Sequence, residues 1–369
     1  MRIKFLLLSI SLLIISDLAA QDKHFSLFNM SPLTLNPANT GAFEGTVRLS
    51  GIYRGQWYGL SSSNGFQTPA FSGDSPILAI GKKKRDWLGV GATIIQDNAG
   101  LFISDNQFAL SAAYHKSLDK KGRTIVTFGV QGGRYARKLN NKTDFIFGDQ
   151  IANGTRESDD LENLLMSGGG GAGGGGGNEA DAENGSIDIS AGVKLLTKVG
   201  KKADLTLGLA FDHILGAEYN LLSLTGSTPN PDPDPTGNNG PKLRRPLLTT
   251  IHGQFNTPLS DKLSLHPTIL AQAVEGSPLE LALQAVAAYE INSEKKVSLR
   301  GGLGYRVSDA GEFLFGLDYG DIRVMASYDL TLSELSNATT GGAFEIGAWY
   351  IIKIFKKPTV NPAVLCPQL

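Results

Sequence analysis

Hydrophobic and polar residues alternate with a period of two along most of this 369-residue chain. In the segment 321–331, Ile322 and Val324 fall on one face, while Arg323 and Asp329 fall on the other. This period is expected for a β-strand whose two faces meet different surroundings. The body of the chain is therefore predicted to be all-β.

Fourteen segments with this alternation can be assigned. They lie near 46–54, 66–78, 86–97, 105–116, 122–135, 185–197, 203–213, 246–257, 262–274, 279–290, 296–307, 311–319, 321–331 and 342–353. Most are longer than the ~5–6 residues usual in soluble strands and close to the ~9–11 that cross a bilayer obliquely. Short connections such as 260–263, 308–311 and 319–321 predict an antiparallel up-and-down meander.

A meander of this kind can form a soluble sandwich or a membrane barrel, and three features favour the barrel. Charged residues are concentrated on one face of the strands, the even strand number suits a single-chain bacterial barrel, and aromatic residues recur near strand ends, as in a membrane-interface girdle. These aromatic residues are Tyr53, Trp57, Trp87, Tyr114, Tyr289, Tyr305, Tyr319, Tyr328, Trp349 and Tyr350. We predict a closed transmembrane antiparallel β-barrel of the outer-membrane type, with about 14 strands, because no sheet edge is stable in hydrocarbon.

The first residues have the pattern of a secretory signal peptide: Arg2 and Lys4, then a short apolar run, then small residues before a cut predicted after Ala20. This divides the chain into a signal peptide (1–20), an N-terminal periplasmic segment leading into the barrel (21–45), the barrel (46–353) and a C-terminal tail (354–369). The predicted location is the cell outer membrane, with outer-membrane lipid around the barrel. Cys366 is the only cysteine, so an intramolecular disulfide is excluded.

Two insertions interrupt the meander, near 150–185 and 220–245. The first holds a glycine-rich tract that is followed by no Lys-Ser or Lys-Thr, so a flexible loop is predicted rather than a phosphate site. The second alternates Pro with Asp; Asp232, Asp234 and Asn238 could bind calcium weakly, but the closing Glu of an EF-hand loop is lacking. Both are predicted to be long loops on the outer rim.

The sequence contains few candidate residues for catalysis or metal binding. The five histidines are scattered (His24, His115, His213, His252 and His266), and no nucleophile elbow, zinc-binding helix or usefully spaced carboxylate pair appears. His252 and His266 are predicted to face the lumen as ordinary polar filling. A net charge of −1 argues against nucleic acid as a partner. We predict no enzyme activity, no cofactor and no metal site.

Further charged residues are predicted on the lumen face: Glu280, Arg300, Arg306, Asp318, Arg323, Asp329 and Glu345. In a narrow or plugged barrel such residues would pair with each other across the lumen. In an open pore they would select ions. The pattern alone leaves both alternatives open.

Motifs at the two ends of the chain resemble those of the PorP/SprF family, outer-membrane proteins of the type IX secretion system in Bacteroidetes. The matching residues are Phe25-Ser26, the Asn36-Pro37-Ala38 turn through Gly41, Tyr53-Arg54 with Gln56-Trp57, Glu345-Ile346-Gly347 and Cys366-Pro367. The resemblance spans the mature chain in order, although the two insertions lie outside the family pattern.

The resemblance implies a component that exports or anchors surface proteins, including gliding adhesins, by binding other secretion subunits and cargo. A passive porin or a channel for small hydrophobic substrates is the alternative, and an outer-membrane hydrolase is a third. Pro37 and Gly41 predict a tight turn ahead of the first strand. Arg54, Gln56 and Trp57 suit a contact at the rim, either with a partner protein or with the chain's own N-terminal segment.

Overall fold

A computed structural model describes residues 24–57, 65–80, 85–100, 103–139, 182–218, 244–333 and 342–354. The signal peptide, the glycine-rich tract, the Pro-Asp loop and Cys366 lie outside the described residues. The strands are β1 (Val47–Gln56), β2 (Phe66–Ile80), β3 (Asp86–Ala99), β4 (Ile103–Ser117), β5 (Thr124–Leu139), β6 (Ala182–Val199), β7 (Ala203–Asp212), β8 (Leu248–Pro258), β9 (Leu263–Val274), β10 (Glu280–Asn292), β11 (Val297–Arg306), β12 (Ala310–Tyr319), β13 (Ile322–Thr331) and β14 (Ala343–Ile352).

These strands form one closed antiparallel barrel in which each strand pairs with its neighbours in the chain. The barrel closes between β1 and β14, where Val47 lies opposite Ile352 and Gln56 lies opposite Ala343. The predicted all-β class, strand number and meander topology are therefore confirmed.

The two ends of the barrel differ in their connections. At the end where β1 begins, short turns join consecutive strands, such as 259–262, 293–296 and 320–321. We call this the short-turn end. The two longest connections, 140–181 and 213–247, both leave from the opposite end, which we call the long-loop end.

The alternation separates a lipid-facing exterior from a polar interior. On β13, Val324 and Tyr328 are exposed on the outside, whereas Arg323 and Asp329 are buried in the lumen. The predicted aromatic girdle is wrong at two positions. Trp87 and Trp349 point into the lumen, where they are 1% and 8% exposed. In both strands the tryptophan falls on the lumen-facing parity. Among the described residues, no helix is long and apolar enough to cross a membrane.

The interior of the barrel contains the chain's own N-terminal residues. Residues 24–46, here called the lumen segment, comprise a 3-10 turn (Phe28–Met30), one helical turn α1 (Pro32–Leu35) and a second 3-10 turn (Pro37–Asn39). His24 lies 3.6 Å from Glu280, which begins β10 at the long-loop end. The backbone N–H of Thr46 donates to Ile352 at the short-turn end. The lumen segment therefore runs the length of the barrel before β1 begins.

Candidate functional site: the lumen segment and its contacts

The long-loop end of the lumen segment is held by an ion pair at the barrel seam. Arg54 on β1 and Glu345 on β14 are cross-strand neighbours, and the Arg54 guanidinium bonds the Glu345 carboxylate. The same carboxylate accepts the backbone N–H groups of Ser26 and Leu27, each at 2.7 Å. The Ser26 hydroxyl donates to Asp329 at 2.6 Å. Residues of three sequence motifs, Ser26, Arg54 and Glu345, therefore meet at one point, although Glu345 is 319 and 291 positions away from the other two.

A second arginine extends this cluster around the wall. Arg306 bonds the Ser26 hydroxyl at 2.6 Å, Glu312 at 3.0 Å and Asp329 at 3.2 Å. Gln284 donates to the Ser26 carbonyl at 2.7 Å. Buried charges are stable only when they are paired and fully hydrogen-bonded. The strand residues here depend on Ser26 for several of those bonds, so the lumen segment completes the charge network.

The middle of the lumen segment is fixed through two asparagines. Asn36 caps its own turn by accepting the backbone N–H of Ala38 at 2.8 Å, and its amide nitrogen lies 3.2 Å from Nε2 of His252. Asn39 accepts from the ammonium group of Lys194 at 2.9 Å. Both asparagines are buried. The Asn-Pro-Ala-Asn sequence therefore supplies polar partners to residues on two different parts of the wall.

The short-turn end of the lumen segment contacts β2, β3 and β4. The Gly41 N–H donates to Asp74 at 2.7 Å, and its carbonyl accepts the indole N–H of Trp87 at 2.9 Å. His115 stacks on Trp87 with ring centroids 4.3 Å apart, and its Nε2 lies 2.8 Å from the Thr40 carbonyl. The inward positions of Trp87 and His115 are explained by these contacts, because both rings bond the lumen-segment backbone.

Glycines in the wall allow the lumen segment to approach closely. A Cβ atom built on Gly129 would lie 2.3 Å from the Ala38 nitrogen, and one on Gly192 would lie 2.1 Å from the Asn36 Oδ1. Gly41 itself has φ +69°, a conformation that glycine adopts without steric cost. These positions admit no other side chain without displacing the segment. The wall is therefore shaped to fit this particular segment.

The remaining predicted site residues are spread around the seam and the lumen segment. Tyr53 faces outward, with its ring 5.8 Å from that of Phe344, while Gln56 ends β1. Trp57 has φ +58° and packs edge-on against Phe66 at 5.2 Å. A partner contact by these residues stays a prediction. Pro37 opens the second 3-10 turn, and a Cβ on Gly347 would lie 2.9 Å from Met30.

The sequence patterns gave no role in holding the lumen segment to five residues that do so: Ser26 and His115, which were named for other reasons, and Asp74, Lys194 and Gln284. Each lies on the lumen-facing side of its strand or within the segment itself. The available signal was a polar residue at an inward position, which is ordinary in a barrel and did not distinguish these five from other lumen residues.

The predicted lumen charges pair with one another on strands that are adjacent or two apart in the wall. Arg300 and Arg323 share Asp318, and Arg306 shares Asp329 with Arg54. His252 and His266 both lie inside the barrel on β8 and β9, as predicted. The described parts of the chain contain no group of three or more His, Cys, Asp or Glu residues arranged to hold a metal ion.

Several solved outer-membrane barrels share the general architecture of the chain. They include the toluene transporter TbuX of Ralstonia pickettii (12% identity, TM-score 0.44, covering 87% of this chain and 91% of that one) and the CymD monoaromatic hydrocarbon channel (12%, 0.45, 89% and 94%). A FadL homologue of Pseudomonas aeruginosa has 13% identity and a TM-score of 0.41, and the match covers 87% of this chain and 94% of that one. At these values the similarity says nothing about what this chain binds or transports. No curated protein matches the sequence significantly.

A family model, by contrast, matches almost the whole sequence. The model describes the type IX secretion system membrane protein PorP/SprF, and the match covers residues 17–350. The matched range includes the lumen segment, the side chains that bond it in this subsection and thirteen of the fourteen strands in full. The chain therefore belongs to the PorP/SprF family of type IX secretion system membrane proteins.

Proposed function

We propose that the protein is an integral outer-membrane component of the type IX secretion and gliding machinery. It supports the export or surface anchoring of cargo proteins such as adhesins by binding other secretion subunits. The observation that carries this proposal is the family match over residues 17–350. The signal peptide, removed after Ala20, directs export of the chain from the cytoplasm, and the barrel then lies in the outer membrane.

The occupied lumen favours a scaffold over a porin. Barrels with 14 strands are too wide for wall side chains alone to fill the interior. Here residues 24–46 lie in that space and bond to strands on several sides of the barrel. The alternative function, a passive porin or a channel for small hydrophobic substrates, requires a continuous path through the same space.

Orientation follows from the connections. Outer-membrane barrels have short periplasmic turns and longer extracellular loops. The short-turn end therefore faces the periplasm, where it is available to other secretion subunits, and the long-loop end faces the cell exterior.

The proposal is tested by deleting the gene and measuring adhesin-type cargo on the surface of intact cells by antibody labelling. We expect surface cargo to be lost and to return when the wild-type gene is restored. Affinity purification from the native membrane should recover other type IX subunits with the protein. Unchanged surface cargo in the deletion strain would contradict the proposal.

A further inference from the structure

A cavity of about 580 Å³ opens at the short-turn end of the barrel. We call it the mouth cavity. One side is formed by the end of the lumen segment, including Phe43 and Glu44, and the other by the wall from β8 to β14. The volume lies within the ~300–1,000 Å³ typical of binding sites. The lumen segment thus fills the barrel without filling this end.

Three arginines and a tryptophan lie on the wall of the mouth cavity. Arg48 is paired with Asp74, outside the group formed by Arg300, Asp318, Arg323 and Trp349. Arg300 bonds both oxygens of Asp318 through its Nε, at 3.1 and 2.9 Å. Arg323 bonds the same two oxygens at 2.6 and 3.1 Å and lies 4.6 Å from the ring centre of Trp349. In this group, two guanidinium charges face one carboxylate charge. All four residues come from adjacent strands, β11 to β14, so the group is a continuous patch of the wall.

Because this patch is buried, its charges act strongly on a charged group that enters the cavity. The side chains of Arg300 and Arg323 are only 4% and 9% exposed. Charges in such surroundings are screened by salt far less than exposed ones. Arginine also presents a planar fork of donors that suits a carboxylate or phosphate.

The rim of the mouth cavity carries charges of both signs: Lys262, Lys296 and Lys353 lie there together with Glu44, Asp261, Glu290 and Asp321. Asp321 pairs with Lys353, and Asp261 is next to Lys262 in the exposed turn between β8 and β9. These rim charges are exposed or half-buried, so solvent and salt weaken them. The strongest feature that an incoming group would meet is therefore the buried arginine patch.

We propose that the mouth cavity binds an acidic segment of a periplasmic partner protein, with a carboxylate of that segment seated on Arg300 and Arg323. The assignment rests on the proposed function and names the chemistry of one contact within it. The cavity lies inside the barrel, away from the lipid-facing exterior, which favours a protein segment over a lipid headgroup. Its apolar wall residues, such as Trp349 and Ile351, suit the uncharged part of a peptide.

The binding test uses full-length protein purified in detergent and a fluorescein-labelled hexaglutamate peptide, followed by fluorescence anisotropy. We expect saturable binding that weakens as salt rises and that is not competed by equimolar inorganic phosphate. The double variant Arg300→Gln/Arg323→Gln should bind at least about tenfold more weakly. Lys295→Gln is the matched control, because Lys295 is an exposed cation at the same end and does not line the cavity.

A second pair of variants keeps the test independent of the arginines' role in folding. Ser298→Trp fills the mouth cavity from β11 and should also weaken binding. Leu299→Trp adds similar bulk one residue along the same strand, but Leu299 faces outward and is 52% exposed, so binding should be unchanged. Heat-shifted mobility in SDS gels verifies that each variant is a folded barrel.

The proposal is overturned if folded Ser298→Trp and Arg300→Gln/Arg323→Gln variants bind hexaglutamate as wild type does, or if phosphate competes equally well. In cells, the arginine double variant should restore surface cargo to a deletion strain less fully than wild type does. Full restoration by the double variant would overturn the mouth-cavity assignment and leave the proposed function standing. Failure of the proposed function is distinct, because it shows as unchanged surface cargo on gene deletion.

Discussion

Arg54 and Glu345 lie directly opposite each other on β1 and β14, the two strands that close the barrel, and their side chains form a buried ion pair. The pair joins strands almost 300 residues apart and at the same time holds Ser26 of the lumen segment. Barrel closure and lumen filling therefore depend on the same side chains. This relationship explains why the motifs containing these residues stand at opposite ends of the sequence.

Removing one partner of this pair should destabilise the protein strongly. In Arg54→Ala, the Glu345 carboxylate keeps its buried position but loses its cation, and an uncompensated buried charge costs about 3–5 kcal/mol. Urea unfolding in micelles, followed by the SDS-gel shift, measures the change in the free energy of unfolding. Arg123→Ala is the control, because that arginine is 57% exposed and its loss should barely move the midpoint. Equal midpoints for both variants would show that the seam pair contributes little.

The fit between the wall and the lumen segment predicts a clear difference between two glycine substitutions. Gly192→Val places a side chain where Asn36 now lies, with Oδ1 2.1 Å from the added Cβ. We expect a loss of about 1–3 kcal/mol in the free energy of unfolding, because Asn36 must move and give up its bonds. Gly301→Val should change the free energy by less than about 0.5 kcal/mol, since nothing lies within 4 Å of its Cβ position. Similar losses in the two variants would contradict the close fit.

The strands could be predicted from the sequence because each carries its own signal. The period of two along 321–331 is local, and β13 begins and ends within one residue of that prediction. The fold class could be predicted because the same alternation recurs in each of the other strand segments. The prediction of which face Arg323 and Tyr328 occupy was also correct, because the position of a residue within the alternation fixes its face.

The position of the lumen segment could not be predicted in the same way. Its residues show no period, and its partners are distant in sequence: Ser26 contacts residue 345, and Asn36 contacts residue 252. Trp87 and Trp349 were misplaced for a related reason. Tryptophan near a strand end suits a membrane interface as well as a lumen contact, and the prediction used position along the strand without the parity that places both residues inside. Their contacts, Gly41 for Trp87 and Arg323 for Trp349, lie in the lumen.

The orientation of the barrel predicts which residues are labelled from outside the cell. Glu275 lies in the connection between β9 and β10 at the long-loop end, and Lys295 lies in the turn between β10 and β11 at the short-turn end; both are exposed. In a Cys366→Ser background, Glu275→Cys should react with a membrane-impermeant maleimide on intact cells. Lys295→Cys should react only after the outer membrane is permeabilised. The reverse pattern would place the mouth cavity on the cell exterior.

The occupied lumen predicts low ion conductance, which separates the scaffold from the porin. Purified wild-type protein in planar bilayers should give no large, steady conductance, because residues 24–46 bond to the wall along the length of the barrel. A variant lacking residues 24–42 should conduct, since a 14-stranded wall encloses more space than its own side chains fill.

Gly192→Val serves as an independent check on the conductance of the truncated protein. It keeps every residue of the lumen segment but forces Asn36 away from the wall, so its conductance should lie between those of the wild-type and truncated proteins. Gly301→Val should match wild type. Large steady currents through the wild-type protein, equal to those of the truncated form, would mean that the lumen segment leaves the barrel in the membrane, and the porin would then be the better account of the protein.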